Sequence, residues 1–339
     1  MKTRNWMKMM QAARLLVASG ILLGGDLSHA GPAVPVAVPA PPIDVPAQGY
    51  VKSEGVPVGT EIAPVPVGQV GPAWVVLGPA STTGGQVTVP PNNQIAGAIN
   101  SLAIHPTNPD IIYIGAVNGG IWRTANATAA SPTWFPLTDN LASKSIGALE
   151  FDPTDATNQT LVAGSGRLSS YGAIGQARIG VLRTTDGGNT WSVLATSTFV
   201  NENLMSIAAR GSIIMAASDS QWGGGTGSGV FRSTSTGASF SLVSGTAGLA
   251  AGPVSDMIGD PGNQSRFFAA VRTVGIFRSD DTGATWTNVT NNLTGISATT
   301  TKVEMAMFNN GTTTALYVAV LNSTAVQGIW RSTDLGATW

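Results

Sequence analysis

The chain has 339 residues, with 17 Lys and Arg against 18 Asp and Glu, two His and no Cys. The near-neutral charge excludes a nucleic-acid binder, which needs a basic excess to neutralise phosphates. Without Cys there are no disulfides, zinc-thiolate sites or thiol nucleophiles, and two His cannot build a histidine metal cluster, so no cofactor or metal is expected. Forty-two Gly and only 10% charged residues describe an all-β chain rather than a helical one.

Lys2, Arg4, Lys8 and Arg14 precede an apolar stretch, Leu15 to Gly25, that is too short to span a bilayer. Ser28-His29-Ala30 supplies small residues at a cleavage site, so residues 1–30 read as a secretory signal peptide. The mature chain would carry 13 basic and 17 acidic residues and no membrane span, and would be secreted, periplasmic or at the cell surface. Residues 31–72 hold ten of the twenty prolines and read as a semi-rigid spacer. Residues 73–339 form the folded domain.

That domain repeats itself. Gly120 to Thr124, Gly180 to Thr184, Gly229 to Ser233, Gly275 to Ser279 and Gly328 to Ser332 share the pattern Gly-apolar-apolar-Arg-Ser/Thr. The intervals between their arginines are 60, 49, 46 and 53 residues, the period of four-stranded propeller blades. Two β-type runs precede each pattern, Ile99 to Ile104 and Ile111 to Gly115 in the first repeat, Ile146 to Phe151 and Leu161 to Gly164 in the second. Turns such as His105 to Pro109, Asp152-Pro153 and Asp260-Pro261-Gly262 divide them.

After each Arg comes a sharper motif. Thr184 to Trp191, Ser279 to Trp286 and Ser332 to Trp339 fit Ser/Thr-x-Asp-x-Gly-x-Thr-Trp. The third repeat has Ser235 for Asp and Phe240 for Trp, and the first is looser, with Asn126 and Trp134. In this spacing Asp186, Asp281 and Asp334 accept turn hydrogen bonds, Gly supplies positive φ, and Trp191, Trp286 and Trp339 pack under the hairpin.

On these motifs the region from Trp74 to Trp339 resembles the Asp-box, or BNR-repeat, propellers, a group that includes sialidases, oligoxyloglucan-type glycoside hydrolases and sortilin-type receptors. The resemblance implies a β-propeller and leaves the activity open. A glycosidase needs two opposed carboxyls. In the xyloglucan-type enzymes one is an Asp before the third strand of the first blade, where Val117-Asn118-Gly119-Gly120 here offers an amide, which cannot take the proton. The sialidase reading lacks its arginine triad, and Tyr113 and Tyr317 read as core residues of second strands. Arg123, Arg183, Arg232, Arg278 and Arg331 occupy equivalent blade positions, so they are structural rather than convergent on a ligand.

Long loops between strands two and three, Ser165 to Ile179 and Ser218 to Ser228, lie in adjacent blades and should form one patch. They carry the candidate ligand-binding residues Arg167, Tyr171, Gln176, Arg178, Asp219 and Trp222, aromatic faces and polar groups that suit a sugar ring. No catalytic residue is assigned. The expectation is a non-catalytic module binding a polysaccharide or a cell-envelope or protein partner, the alternative a xyloglucanase- or sialidase-like hydrolase completed by further blades. Ala73 to Leu77 copies the fourth-strand pattern Thr190 to Leu194 and would close the final blade, giving a parent ring of six to eight blades of which five begin here.

Overall fold

The computed structural model describes residues 98–166, 175–219, 227–323 and 325–339. The expected signal peptide, the spacer and the closing strand at Trp74 to Leu77 lie outside them.

The described residues form an all-β propeller of five sheets. The first sheet holds β1 (Ile99–Ile104), β2 (Ile112–Ala116), β3 (Gly120–Thr124) and β4 (Trp134–Pro136), and the second β5 (Ile146–Phe151), β6 (Leu161–Ser165), β7 (Val181–Thr184) and β8 (Ser192–Leu194). The third holds β9 (Leu204–Arg210), β10 (Ile213–Ser218), β11 (Gly229–Ser233) and β12 (Ser241–Leu242). The fourth holds β13 (Val254–Asp260), β14 (Asn263–Val271), β15 (Gly275–Ser279) and β16 (Thr287–Asn288), and the fifth β17 (Thr300–Asn309), β18 (Thr314–Asn322) and β19 (Val326–Ser332). Each sheet is an antiparallel meander in chain order, four-stranded in the first four and three-stranded in the last. The strands start and stop where β-branched and aromatic runs meet Gly, Pro and Asp.

The apolar residues that alternate along each sheet pack against the next sheet. Phe151, Leu161 and Leu182 join Ala103, Tyr113 and Ile121 in one cluster, and Ile258, Phe268 and Ile276 join Met305, Leu316 and Val318 in another. Polar ties run along the inner strands: the Asp256 carboxylate accepts from Ser206 Oγ at 2.7 Å and from the Met305 amide at 2.8 Å, linking three sheets. Glu150 pairs with Arg210 at 3.3 Å, and Arg210 stacks over Phe267 at 5.0 Å.

The turn after each third strand is built by side chains. Thr184 Oγ1 donates to Asp186 Oδ1 at 2.7 Å and accepts from the Gly188 amide at 3.0 Å. Asp186 accepts from the Thr190 amide at 2.9 Å and from its hydroxyl at 2.6 Å, and Trp191 Nε1 donates to Gly188 O at 3.1 Å. The Asp281 turn repeats every one of these contacts. The Asp334 turn repeats the carboxylate contacts, but Trp339 Nε1 donates to Val289 O in the previous sheet at 2.9 Å. In the degenerate third repeat, Ser235 Oγ takes over by accepting from the Ser239 amide at 3.1 Å.

One expectation fails. Tyr113 is buried at 2% exposure, whereas Tyr317 is 37% exposed. Both sit on second strands and face the next sheet, but among the described residues no sheet covers the fifth.

Candidate functional site

The rim where second strands meet third strands is organised by one repeated backbone bond. The residue after the second strand donates to the carbonyl just before the first strand: Val117 to Ala98, Gly166 to Ser145, Asp219 to Asn203 and Arg272 to Pro253, all at 2.9–3.1 Å. These four residues therefore stand at equivalent places around the rim. The last two are charged and pair across the boundary of the third and fourth sheets, Arg272 Nη1 to Asp219 Oδ2 at 3.4 Å, with side chains 11% and 6% exposed.

Both long insertions return to a single connector, residues 201–203, between the second and third sheets. Arg178, at the end of the first insertion, donates from Nη2 to Asn201 Oδ1 at 3.1 Å. Gly227, in the second, donates its amide to Glu202 Oε1 at 3.1 Å. Glu202 is only 2% exposed, and among the described residues its Oε2 is buried without a hydrogen-bond partner, as is Nε of Arg272. Leaving such groups unsatisfied costs about 1–3 kcal/mol each. A hydroxyl can serve both kinds of group, because it donates and accepts.

Of the six sequence candidates, Arg178 and Asp219 belong to this buried cluster. Gln176 serves the neighbouring hairpin: its Oε1 accepts from the Lys144 backbone amide at 2.6 Å and its backbone N–H donates to Ser145 Oγ at 2.8 Å. Ser145 Oγ in turn donates to Asn118 Oδ1 at 2.8 Å, so Asn118 ties the first sheet to the second. Arg167, Tyr171 and Trp222 lie outside the described residues. The sequence analysis names neither Glu202 nor Arg272; for Arg272 the signal is its spacing, since it sits one residue beyond its second strand as Asp219 does. Among the described residues no group of three or more His, Asp and Glu could hold a metal ion, and no helix is long and apolar enough to cross a membrane.

Three of the five repeat arginines act between sheets. Arg123 Nη1 donates to Gly187 O at 3.0 Å, Arg232 Nε to Thr282 O at 2.8 Å and Arg278 Nη1 to Leu335 O at 3.1 Å, each reaching the turn of the following sheet.

No family model matches the chain. Over 254 residues it is 26% identical to a xyloglucanase from Paenibacillus sp, an alignment that covers 72% of this chain and 21% of that protein. The chain thus spans about a fifth of the length of that relative. Among solved structures, an ancestral GH74 enzyme superposes with a TM-score of 0.50 at 18% identity, over 74% of this chain and 30% of that one. The GH74 xyloglucanase from Xanthomonas campestris gives 0.49 at 20% identity, over 72% and 37%. At these identities the structural likeness is one of fold.

Proposed function

We propose that the protein acts on a xyloglucan-type polysaccharide as a glycoside-hydrolase-like propeller, with the rim of its second to fourth sheets as the glycan-contacting face. The observation that carries this reading is the similarity over 254 residues to a xyloglucanase. The rim of these sheets concentrates the polar groups of Glu202, Asp219 and Arg272, with Arg272 paired to Asp219 at 3.4 Å. Export belongs to the same reading, since polysaccharides of this size lie outside the cell and residues 1–30 have the pattern of a signal peptide. The repeated Asp turns keep the resemblance to Asp-box propellers.

Hydrolysis requires two carboxyls roughly 5–9.5 Å apart across the glycosidic bond. Glu202 and Asp219 are the buried carboxyls at the rim. A second reading, binding without cleavage, is favoured by one observation: at Asn118 an amide, engaged with Ser145, stands where the resemblance implies a base. Incubation with xyloglucan, read by affinity electrophoresis and by release of reducing ends, tests both. Retardation with release supports the hydrolase, retardation alone supports binding, and neither defeats the proposal.

A further inference from the structure

The chain contains two Asn-Gly pairs, Asn118-Gly119 and Asn310-Gly311. In such a pair the glycine nitrogen can attack the asparagine side-chain carbon, since glycine has no Cβ to obstruct the approach. A new N–C bond closes a succinimide ring, the bond to the side-chain amide nitrogen breaks, and ammonia leaves carrying the proton of the glycine N–H. Water then opens the ring at one of its two carbonyls and leaves aspartate or isoaspartate. The sum is amide plus water giving carboxyl plus ammonia, with no change of oxidation state. Two groups govern the rate: the glycine N–H, which must lose its proton to solvent base, and the asparagine oxygen, on which negative charge gathers.

At the first pair both groups are set up for the reaction. The turn from Val117 to Gly120 joins β2 to β3 and is pinned at both ends, Val117 N–H to Ala98 O at 2.9 Å and Gly120 N–H to Lys144 O at 2.8 Å. Trp122 Nε1 donates to Gly119 O at 2.7 Å, which fixes the peptide on the far side of Gly119. The Gly119 N–H has no acceptor among the described residues, and Asn118 is exposed. The Asn118 oxygen faces a donor whose proton is aimed at it. Gln176 donates its backbone N–H to Ser145 Oγ at 2.8 Å, and Ser145 Oγ donates to Asn118 Oδ1 at 2.8 Å. Ser145 is fully buried, so its hydroxyl acts without competition from water, as a preorganised oxyanion donor does.

The second pair is also exposed, and Asn310 Oδ1 also meets donors, the backbone N–H groups of Thr312 at 3.1 Å and Thr313 at 2.8 Å. Its nucleophile makes the difference. The Gly311 N–H donates to Asn309 Oδ1 at 2.9 Å, so the nitrogen that would attack is already engaged and that bond must break first.

We infer that Asn118 is a self-deamidation site, at which the tie between the first and second sheets changes from a neutral amide to a carboxylate. Aspartate leaves the backbone unchanged, keeps an acceptor for Ser145 Oγ and adds a negative charge. Isoaspartate also inserts a methylene into a turn pinned at Ala98 and Lys144. The modification is independent of the proposed glycan contact, and its readout is a mass rather than an activity.

The test incubates the full 339-residue chain in mildly alkaline buffer. Peptide mass spectrometry with fragmentation reads the amide-to-carboxyl mass gain at Asn118 and at Asn310 in the same molecules. In the folded chain Asn118 should convert at least about tenfold faster than Asn310, less than a donor sealed inside an enzyme site supplies. In denaturant the two rates should become similar, because the reacting dipeptide is the same. Ser145→Ala should slow conversion of Asn118 and leave Asn310 unchanged. Conversion of Asn118 no faster than that of Asn310 in the folded chain would overturn the proposal. An excess at Asn118 that persists in denaturant would overturn it too, since local sequence alone would then set the rate, and so would unchanged conversion of Asn118 in folded Ser145→Ala. Should that variant fail to fold, the comparison of folded and denatured wild type decides.

Discussion

A single carboxylate organises each complete turn. Asp186 and Asp334 are held at about 2, first by the hydroxyls of Thr190 and Thr338, then by the amides of those residues and by the hydroxyls of Thr184 and Ser332. A carboxylate whose folded pKa lies below its unfolded value of about 3.9 stabilises the fold fully above that value and loses the contribution as pH falls towards 2. These groups are at the surface, so each contribution is small and screened by salt. Thermal melts between pH 5 and pH 2 should show a falling Tm, less steep in Asp186→Asn; parallel slopes would contradict the assignment. For Asp281 burial acts to raise the pKa, but hydrogen bonds from Thr285 and Ser279 outweigh it and the net direction is down. Asp281→Ala removes contacts to Ser279 and Thr285 at an exposed site, at a cost of about 1 kcal/mol. Its Tm should fall by about 2–4 °C while affinity for xyloglucan stays unchanged. A loss of binding at unchanged Tm would make Asp281 a ligand residue.

Sheets communicate through the Arg-to-turn bond, and this is the element at which the structure adds most to the sequence. Removing a charge-assisted bond at a half-buried site should cost about 1–2 kcal/mol in Arg278→Ala. Arg331→Ala should leave Tm within about 1 °C in the same chain, because that side chain is exposed and unengaged. Equal losses in differential scanning fluorimetry would contradict the proposed division of roles. The strands themselves were legible in the sequence: Ile99–Ile104 and Ile146–Phe151 begin and end where the apolar runs and Asp-Pro turns place them. Period and turn chemistry are local, so they survive in sequence. That a repeat arginine reaches the turn of the following sheet is a contact 50 to 64 residues away, set by the pitch of the arc, and no local pattern encodes it. Tyr317 was misread for the same reason: its neighbours Ala315, Leu316 and Val318 describe a core strand, while exposure depends on a sheet elsewhere.

At the scale of the whole molecule, the rim was half visible beforehand. Asp219 and Arg178 stood out because they sit in long insertions between second and third strands, whereas Glu202 lies in a connection between sheets and Arg272 in a short turn, and these gain meaning only when the arc brings four connections together. The amide at Asn118 divides the two functional readings and can be reversed. Asn118→Asp keeps the acceptor for Ser145 Oγ and supplies a carboxylate in the first hairpin. The hydrolytic reading expects release of reducing ends from xyloglucan to rise by about 100-fold, the lower range for a positioned general base; no change in release would leave binding as the activity. The central claim is that the chain engages glycan at the rim of the second to fourth sheets, whose second insertion is held by Glu202, and affinity electrophoresis in xyloglucan with wild type and Glu202→Gln measures it most directly. This substitution keeps the shape and the acceptor for the Gly227 amide while replacing the unpaired oxygen by a donor. The account predicts retardation of the wild type and a weakening of about tenfold in Glu202→Gln, equivalent to about 1.4 kcal/mol, at unchanged Tm. Equal retardation of both proteins, or none for the wild type, would contradict it.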